Sequence, residues 1–181
     1  GYVSLEVSPR LAMDTSETVN EAIELWGKVN RPNLMIKIPA TIPGLEAITM
    51  AISAGINVNV TLIFSVERYS KVIDAYITGL EKRLDSGHDI NNVNSVASFF
   101  ISRIDTLVDA RLDEMSLDDV DTDTIRGGTA IANANLAYNL FQNSISSKRW
   151  THLQSKGANV QRPLWASTST KDPNYSDVLY V

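Results

Sequence analysis

A charged residue interrupts one of the most apolar runs in the sequence. Lys37 is flanked by Met35, Ile36, Ile38 and Pro39 in the stretch LMIKIP, a setting in which lysine needs a reason to be present. Taking an ammonium out of water favours the free amine, and a free amine condenses with a ketone to a Schiff base. The same local sequence also fits an edge-strand lysine whose stem lies along apolar surface while its head reaches water. Glu6, in the alternating run YVSLEV, is open to two readings as well. It is either an ion-pair partner for Lys37 or a carboxylate that holds the water lost and regained when an imine forms and hydrolyses. Asn59 and Thr61 lie two apart in INVNVTLIF and therefore share one strand face. They suit substrate hydroxyls or that same water, and they equally suit a hydrogen-bonded polar core.

Ser98 and Arg103 bracket the end of the apolar run Val93 to Phe100, where a guanidinium is placed to clamp a phosphate with two parallel hydrogen bonds. Arg162 and Lys171 are weaker anion-site candidates, since a charge in a loop is usually just solvated. His88, in a polar loop, and His152, in a helical stretch, are read as incidental. No Ser, His, Asp constellation, Walker loop or Gly-rich dinucleotide fingerprint is present, which argues against hydrolase, NTPase and dehydrogenase chemistry.

Composition narrows the field further. Across 181 residues there is no Cys, which removes disulfide frameworks, thiol nucleophiles and thiolate metal sites; two His are too few for a His-rich metal centre. A net charge of -5, with scattered Lys and Arg, gives no basic surface for nucleic acid. No apolar run reaches the roughly 20 residues needed to span a bilayer, and no secretory leader is recognisable. The expected compartment is the cytoplasm. Residue 1 is Gly and opens directly into a strand-like run, so a piece of a longer chain is expected.

The elements that must carry these residues alternate. Strands are expected at Tyr2 to Val7, Leu34 to Ile38, Ile56 to Phe64, Val93 to Phe100 and Val160 to Ser167. Helices are expected after Asp14 (to about Val29), from Pro43 to Gly55, from Ser65 to about Gly87 and from Arg103 to Leu112, with one or two more up to Lys156 and Gly157. Asp113 to Asp123 reads as a solvated acidic connector, and Thr168 to Val181 as a loop about to start another element. The order implies α/β architecture with a parallel sheet in a single domain, 1 to 181. Parallel strands buried on both faces read as continuous apolar runs, but these do not. Val3, Leu5 and Val7 oppose Ser4 and Glu6; Leu34, Ile36 and Ile38 oppose Met35 and Lys37; Ile56, Val58, Val60 and Leu62 oppose Asn57, Asn59 and Thr61. One apolar face and one polar face suit a barrel, with helices outside and an active site near the strands' carboxyl ends. A doubly wound sheet would leave Glu6 and Lys37 beneath a helix.

Taken together these segments resemble the transaldolase family. LEVSPRLAMDT is similar to its third-strand segment, MIKIPAT to the Schiff-base lysine segment, GINVNVTLIFS to the fifth strand, SVASFFISRID to the sixth and RPLWASTSTKDP to the seventh-strand region of one subfamily. The resemblance implies an incomplete TIM (β/α)8 barrel of about five strand-helix units, and a class I enzyme that needs no metal or organic cofactor. Its reaction is transfer of a dihydroxyacetone unit from sedoheptulose 7-phosphate to glyceraldehyde 3-phosphate, giving erythrose 4-phosphate and fructose 6-phosphate in the non-oxidative pentose phosphate pathway. Lys37 would attack the ketone, Glu6 and Thr61 would hold the water, Asn59, Ser98 and Ser167 would contact the sugar, and Arg103 its phosphate, with Lys171 as a second anion ligand.

Two departures accompany the match: Phe99 and Ser102 stand where the family reads Pro and Gly, and the family's second phosphate Arg has no clear counterpart. The resemblance also places an Asp and an Asn on two strands preceding Tyr2, and a last strand after Val181, outside this sequence. Five strands cannot close an eight-stranded cylinder, so the 181 residues alone are expected to be inactive. A non-catalytic sugar-phosphate-binding remnant and a fructose-6-phosphate aldolase-like enzyme are the alternative readings. Sugar phosphates are the expected partners, with neither nucleic acid nor membrane.

Overall fold

The structure, a computed structural model, describes residues 1–115, 122 and 125–180. Most of the expected acidic connector, residues 116–121 and 123, lies outside them. Five strands, β1 (Val3–Glu6), β2 (Leu34–Pro39), β3 (Val58–Ile63), β4 (Ser95–Phe100) and β5 (Arg162–Ala166), form one all-parallel sheet in the order β1-β2-β3-β4-β5. Between them run α1 (Thr15–Val29), α2 (Ile42–Ser53), α3 (Val66–Asp85), α4 (Ser102–Glu114), α5 (Thr129–Ile145) and α6 (Lys148–Ser155). A doubly wound sheet reverses its strand order at a switch point. This order never reverses, which is the winding of a (β/α)8 barrel; the sheet is an incomplete barrel of that kind.

Local chemistry sets most of the boundaries. Asp14 caps α1 by accepting from Glu17 N, Ser65 caps α3 from Arg68 N, and Pro43 lies in the first turn of α2. The stretch after residue 124 divides into two helices at Ser146 and Ser147; the Ser147 hydroxyl starts α6 by accepting from Trp150 N. The apolar face of the sheet (Leu34, Ile36, Ile38, Val58, Val60, Ala97 and Phe99) is sealed by Ile48 and Ile52 of α2 and by Tyr69, Val72, Tyr76 and Leu80 of α3. Edge-strand β1 is an exception, because all four of its residues are exposed, Val3 and Leu5 included.

One expectation about faces is corrected. Leu62 was grouped with Val60 on the apolar side, yet it is 41% exposed, while Ile63 is fully buried. The register explains this: Val60 pairs with Ala97, but Ile63 pairs with Phe99, so one extra residue of β3 is accommodated by a bulge. Leu62 absorbs it with φ 59, in the left-handed region, where a non-glycine residue carries about 1–2 kcal/mol of strain. Strict alternation in the sequence hides such a bulge. Replacing Leu62 by Gly in the full-length polypeptide should therefore leave the urea midpoint equal or higher, and the β-branched Leu62→Val should lower stability by about 1–2 kcal/mol. A Gly variant that unfolds before the Val variant would contradict this reading of the bulge.

Candidate active site at the carboxyl ends of the strands

Sheet register brings the first two candidates together. Glu6 pairs with Lys37 across β1 and β2, and Lys37 pairs with Asn59 across β2 and β3. The Lys37 Nζ donates to Glu6 Oε2 at 3.3 Å, with side-chain exposures of 29% and 48%. The amine is thus more open to solvent than the sequence reading of an enclosed lysine. An ion pair this exposed is worth about 0–1 kcal/mol, so it contributes little to folding and both charges remain available for chemistry. Below it the polar face is lined by Met35, which is 2% exposed.

The carboxyl end of β2 is held rigidly. Thr41 Oγ1 accepts from Gly44 N at 3.0 Å and donates to Ala12 O at 2.5 Å. Gly44 is required there, because a Cβ would stand 2.1 Å from Pro39 O; its absence lets the first turn of α2 sit directly on the strand end. Ala40 N donates to Thr61 O at 2.8 Å, tying β2 to β3 just past the lysine.

Asn59 is 7% exposed and has its amide fully engaged: Nδ2 donates to Ser4 Oγ at 2.9 Å, and Oδ1 accepts from Ser98 Oγ at 2.7 Å. The first bond spans β2 to join alternate strands, as side chains do in the layered interior of a closed barrel. Ser4, Lys37, Asn59 and Ser98 thus form one surface, in which the role of Ser4 was not anticipated; its alternation with Glu6 was the available signal. Thr61 is 1% exposed, and its Oγ1 has no hydrogen-bond partner among the described residues. Asn57 belongs elsewhere: its side chain is used up by the backbone of Pro32, Leu34 and Asn94, clamping the opposite end of the sheet.

Arg103 is exposed on the first turn of α4, its guanidinium carbon 5.0 Å from the centre of the Phe100 ring. Ser167 follows β5 with φ 58, and its hydroxyl lies 2.9 Å from that of the buried Ser102, so it serves the β5–α4 junction. Lys171 donates to Ser169 Oγ and lines a cavity of about 340 Å³ with Asp105, Asp109, Asp113 and Asp172. The Lys37 side chain does not line that cavity. Arg162 stands at the start of β5, away from the carboxyl ends.

All residues, 1–181, match the family model described as Transaldolase/Fructose-6-phosphate aldolase. The chain belongs to that family. It is 56% identical over 181 residues to the transaldolase of Mycolicibacterium smegmatis, 58% to that of Thermobifida fusca and 55% to that of Saccharopolyspora erythraea; each alignment takes in the whole chain and 48%, 49% and 48% of the relative, respectively. The chain spans about half the length of the curated relatives it matches.

In this transaldolase-family chain the tail, read as a loop, carries no helix or strand among its described residues. It folds back on α4: Tyr175 donates to Asp109 Oδ2 and Tyr180 to Asp105 Oδ2, each at 2.7 Å, while the buried Asp105 also accepts from Ala130 N of α5 at 2.7 Å. Desolvation first, then the hydrogen bond to Asp109 and its charge, pushes the Tyr175 phenol up to about 12. The Tyr180 phenol is pushed up by the same causes, with Asp105 as the bonding carboxylate. A phenol raised above its unfolded value of about 10 adds stability that is fully present below pH 10 and lost as pH rises through the folded value. Between pH 10 and 12 the tail should therefore loosen, detected as tyrosinate absorbance rising together with proteolysis after Thr168. In Tyr175→Phe, proteolysis should already be faster at pH 8 and rise less with pH. Identical alkaline profiles for the two proteins would refute the assignment.

Proposed function

We propose that the polypeptide carrying this chain is a transaldolase that acts on sugar phosphates through a Schiff base on Lys37. What carries the reading is the arrangement of Lys37 Nζ 3.3 Å from a carboxylate, beside the Asn59–Ser98 pair, at the carboxyl ends of parallel strands. Lys37 Nζ gives up a proton to Glu6 and, as the free amine, attacks the ketose C2. The resulting carbinolamine expels its hydroxyl as water, with Glu6 passing the proton and Thr61 holding the water. The protonated imine accepts the electron pair of the C3–C4 bond, and the aldehyde departs. The proton of the C4 hydroxyl goes to a base, a role that the resemblance assigns to an Asp outside this sequence. The remaining three-carbon enamine attacks the acceptor's aldehyde carbon, and water returned to the imine carbon frees the product and Lys37.

Asn59 and Ser98 orient the sugar hydroxyls, Arg103 takes the phosphate, and Ser167 and Lys171 are proposed as outer contacts of the sugar and phosphate. These steps need no metal or organic cofactor, and the proposed setting is the non-oxidative pentose phosphate pathway in the cytoplasm. The family also includes fructose-6-phosphate aldolases, which release the three-carbon unit; sedoheptulose 7-phosphate made from fructose 6-phosphate and erythrose 4-phosphate separates transfer from release. In the full-length polypeptide, borohydride with fructose 6-phosphate should fix a three-carbon adduct on the peptide containing Lys37, and Lys37→Ala should abolish it. Undiminished trapping in that variant would end the proposal.

A further inference from the structure

The β3 bulge does more than reorient Leu62. Without it, Ile63 would stand opposite Phe100; with it, Ile63 pairs with Phe99, and Phe64 and Phe100 are the residues that follow this last pair. The Phe64 and Phe100 rings then lie 5.1 Å apart at 41°, within the range of a favourable aromatic pair. Asn133 of α5 holds Phe64 by donating to its carbonyl at 2.9 Å. Arg103 lies over the other member of this pair, its guanidinium carbon 5.0 Å from the Phe100 centroid. Phe100 is 9% exposed, and Phe64 is 38% exposed. Phe100 alternates with Ser98 along β4 and so faces the same side as the Asn59–Ser98 pair.

We infer that Phe64 and Phe100 form a two-ring shelf that positions Arg103, and that this shelf sets the protein's preference for phosphorylated over unphosphorylated sugars. A cation–π contact is made through the ring face and uses up no N–H donor, so a guanidinium held over Phe100 keeps its donors for a phosphate, which takes two parallel bonds. Long exposed side chains lose rotamer entropy when they bind; an arginine already laid on a ring has less to lose. The strain at Leu62 follows from the register that brings Phe64 into the shelf. Phe64 and Phe100 are positioning residues, acting on the phosphate only through Arg103.

This inference rests on the Schiff-base reading above, and the test separates the two. In the full-length polypeptide, borohydride trapping at Lys37 is measured against the concentration of fructose 6-phosphate and, separately, of dihydroxyacetone, which carries no phosphate. Phe100→Leu should raise the half-saturating concentration of fructose 6-phosphate by about three- to ten-fold, and Phe64→Leu, which loosens the shelf from outside, by about two-fold; that for dihydroxyacetone should not change. Added to Arg103→Met, Phe100→Leu should have no further effect. Equal losses for both ketones, or additive losses with Arg103→Met, would overturn the shelf while leaving the Lys37 chemistry intact. Absence of trapping in the unaltered protein would overturn the Schiff-base reading and, with it, the role of the shelf.

Discussion

An ammonium and a carboxylate 3.3 Å apart on the polar face of a parallel sheet are the feature around which the fold is arranged. Side chains alternate with a period of two, so a slip of one residue in β2 would drive Lys37 into the core beneath α2 and turn Ile36 or Ile38 outward. That penalty fixes the register: Ile36, Ile38, Val58 and Val60 are fully buried on one side, and Lys37 and Asn59 are thereby held on the other. The hydrophobic effect locates the charged groups without needing any stabilisation from them.

The polar face satisfies itself by cross-strand bonds. Asn59 joins Ser4 and Ser98 and so spans four strands with one amide. At the amino end of the sheet Asn57 bonds backbone groups of Pro32, Leu34 and Asn94. Two asparagines separated by one residue thus do different work: Asn57 is spent on register, whereas Asn59 is aligned beside the lysine. The β3 bulge marks the change from this tightly alternating body to the irregular mouth, where Leu62 and Ser167 both adopt positive φ.

Much of this was legible in the sequence because it follows from short-range rules. Alternation in VSLE, LMIKIP and VNVTLI placed Glu6, Lys37 and Asn59 on one face, and Asp14, Ser65 and Pro43 marked helix starts where the caps and first turns are found. What escaped depends on neighbours distant in sequence. Nothing in VNVTLIFS announces that Leu62 takes up an extra residue, because a bulge is visible only against its partner strand. The polar tail gave no sign of returning to α4, since Tyr175 and Tyr180 find Asp109 and Asp105 across 66 and 75 residues. The partner of the Ser167 hydroxyl within the chain, Ser102, was equally out of sight, because that pairing is set by the close junction of β5 and α4.

The most direct test of the central claim is a crystal structure of the full-length polypeptide after reduction with borohydride in the presence of fructose 6-phosphate. Electron density should run unbroken from Lys37 Nζ into a three-carbon unit, with Glu6 beside the new bond and Asn59 and Ser98 against its hydroxyls. Density leaving another lysine, such as Lys171, with the Lys37 amine unmodified beside Glu6, would contradict the account.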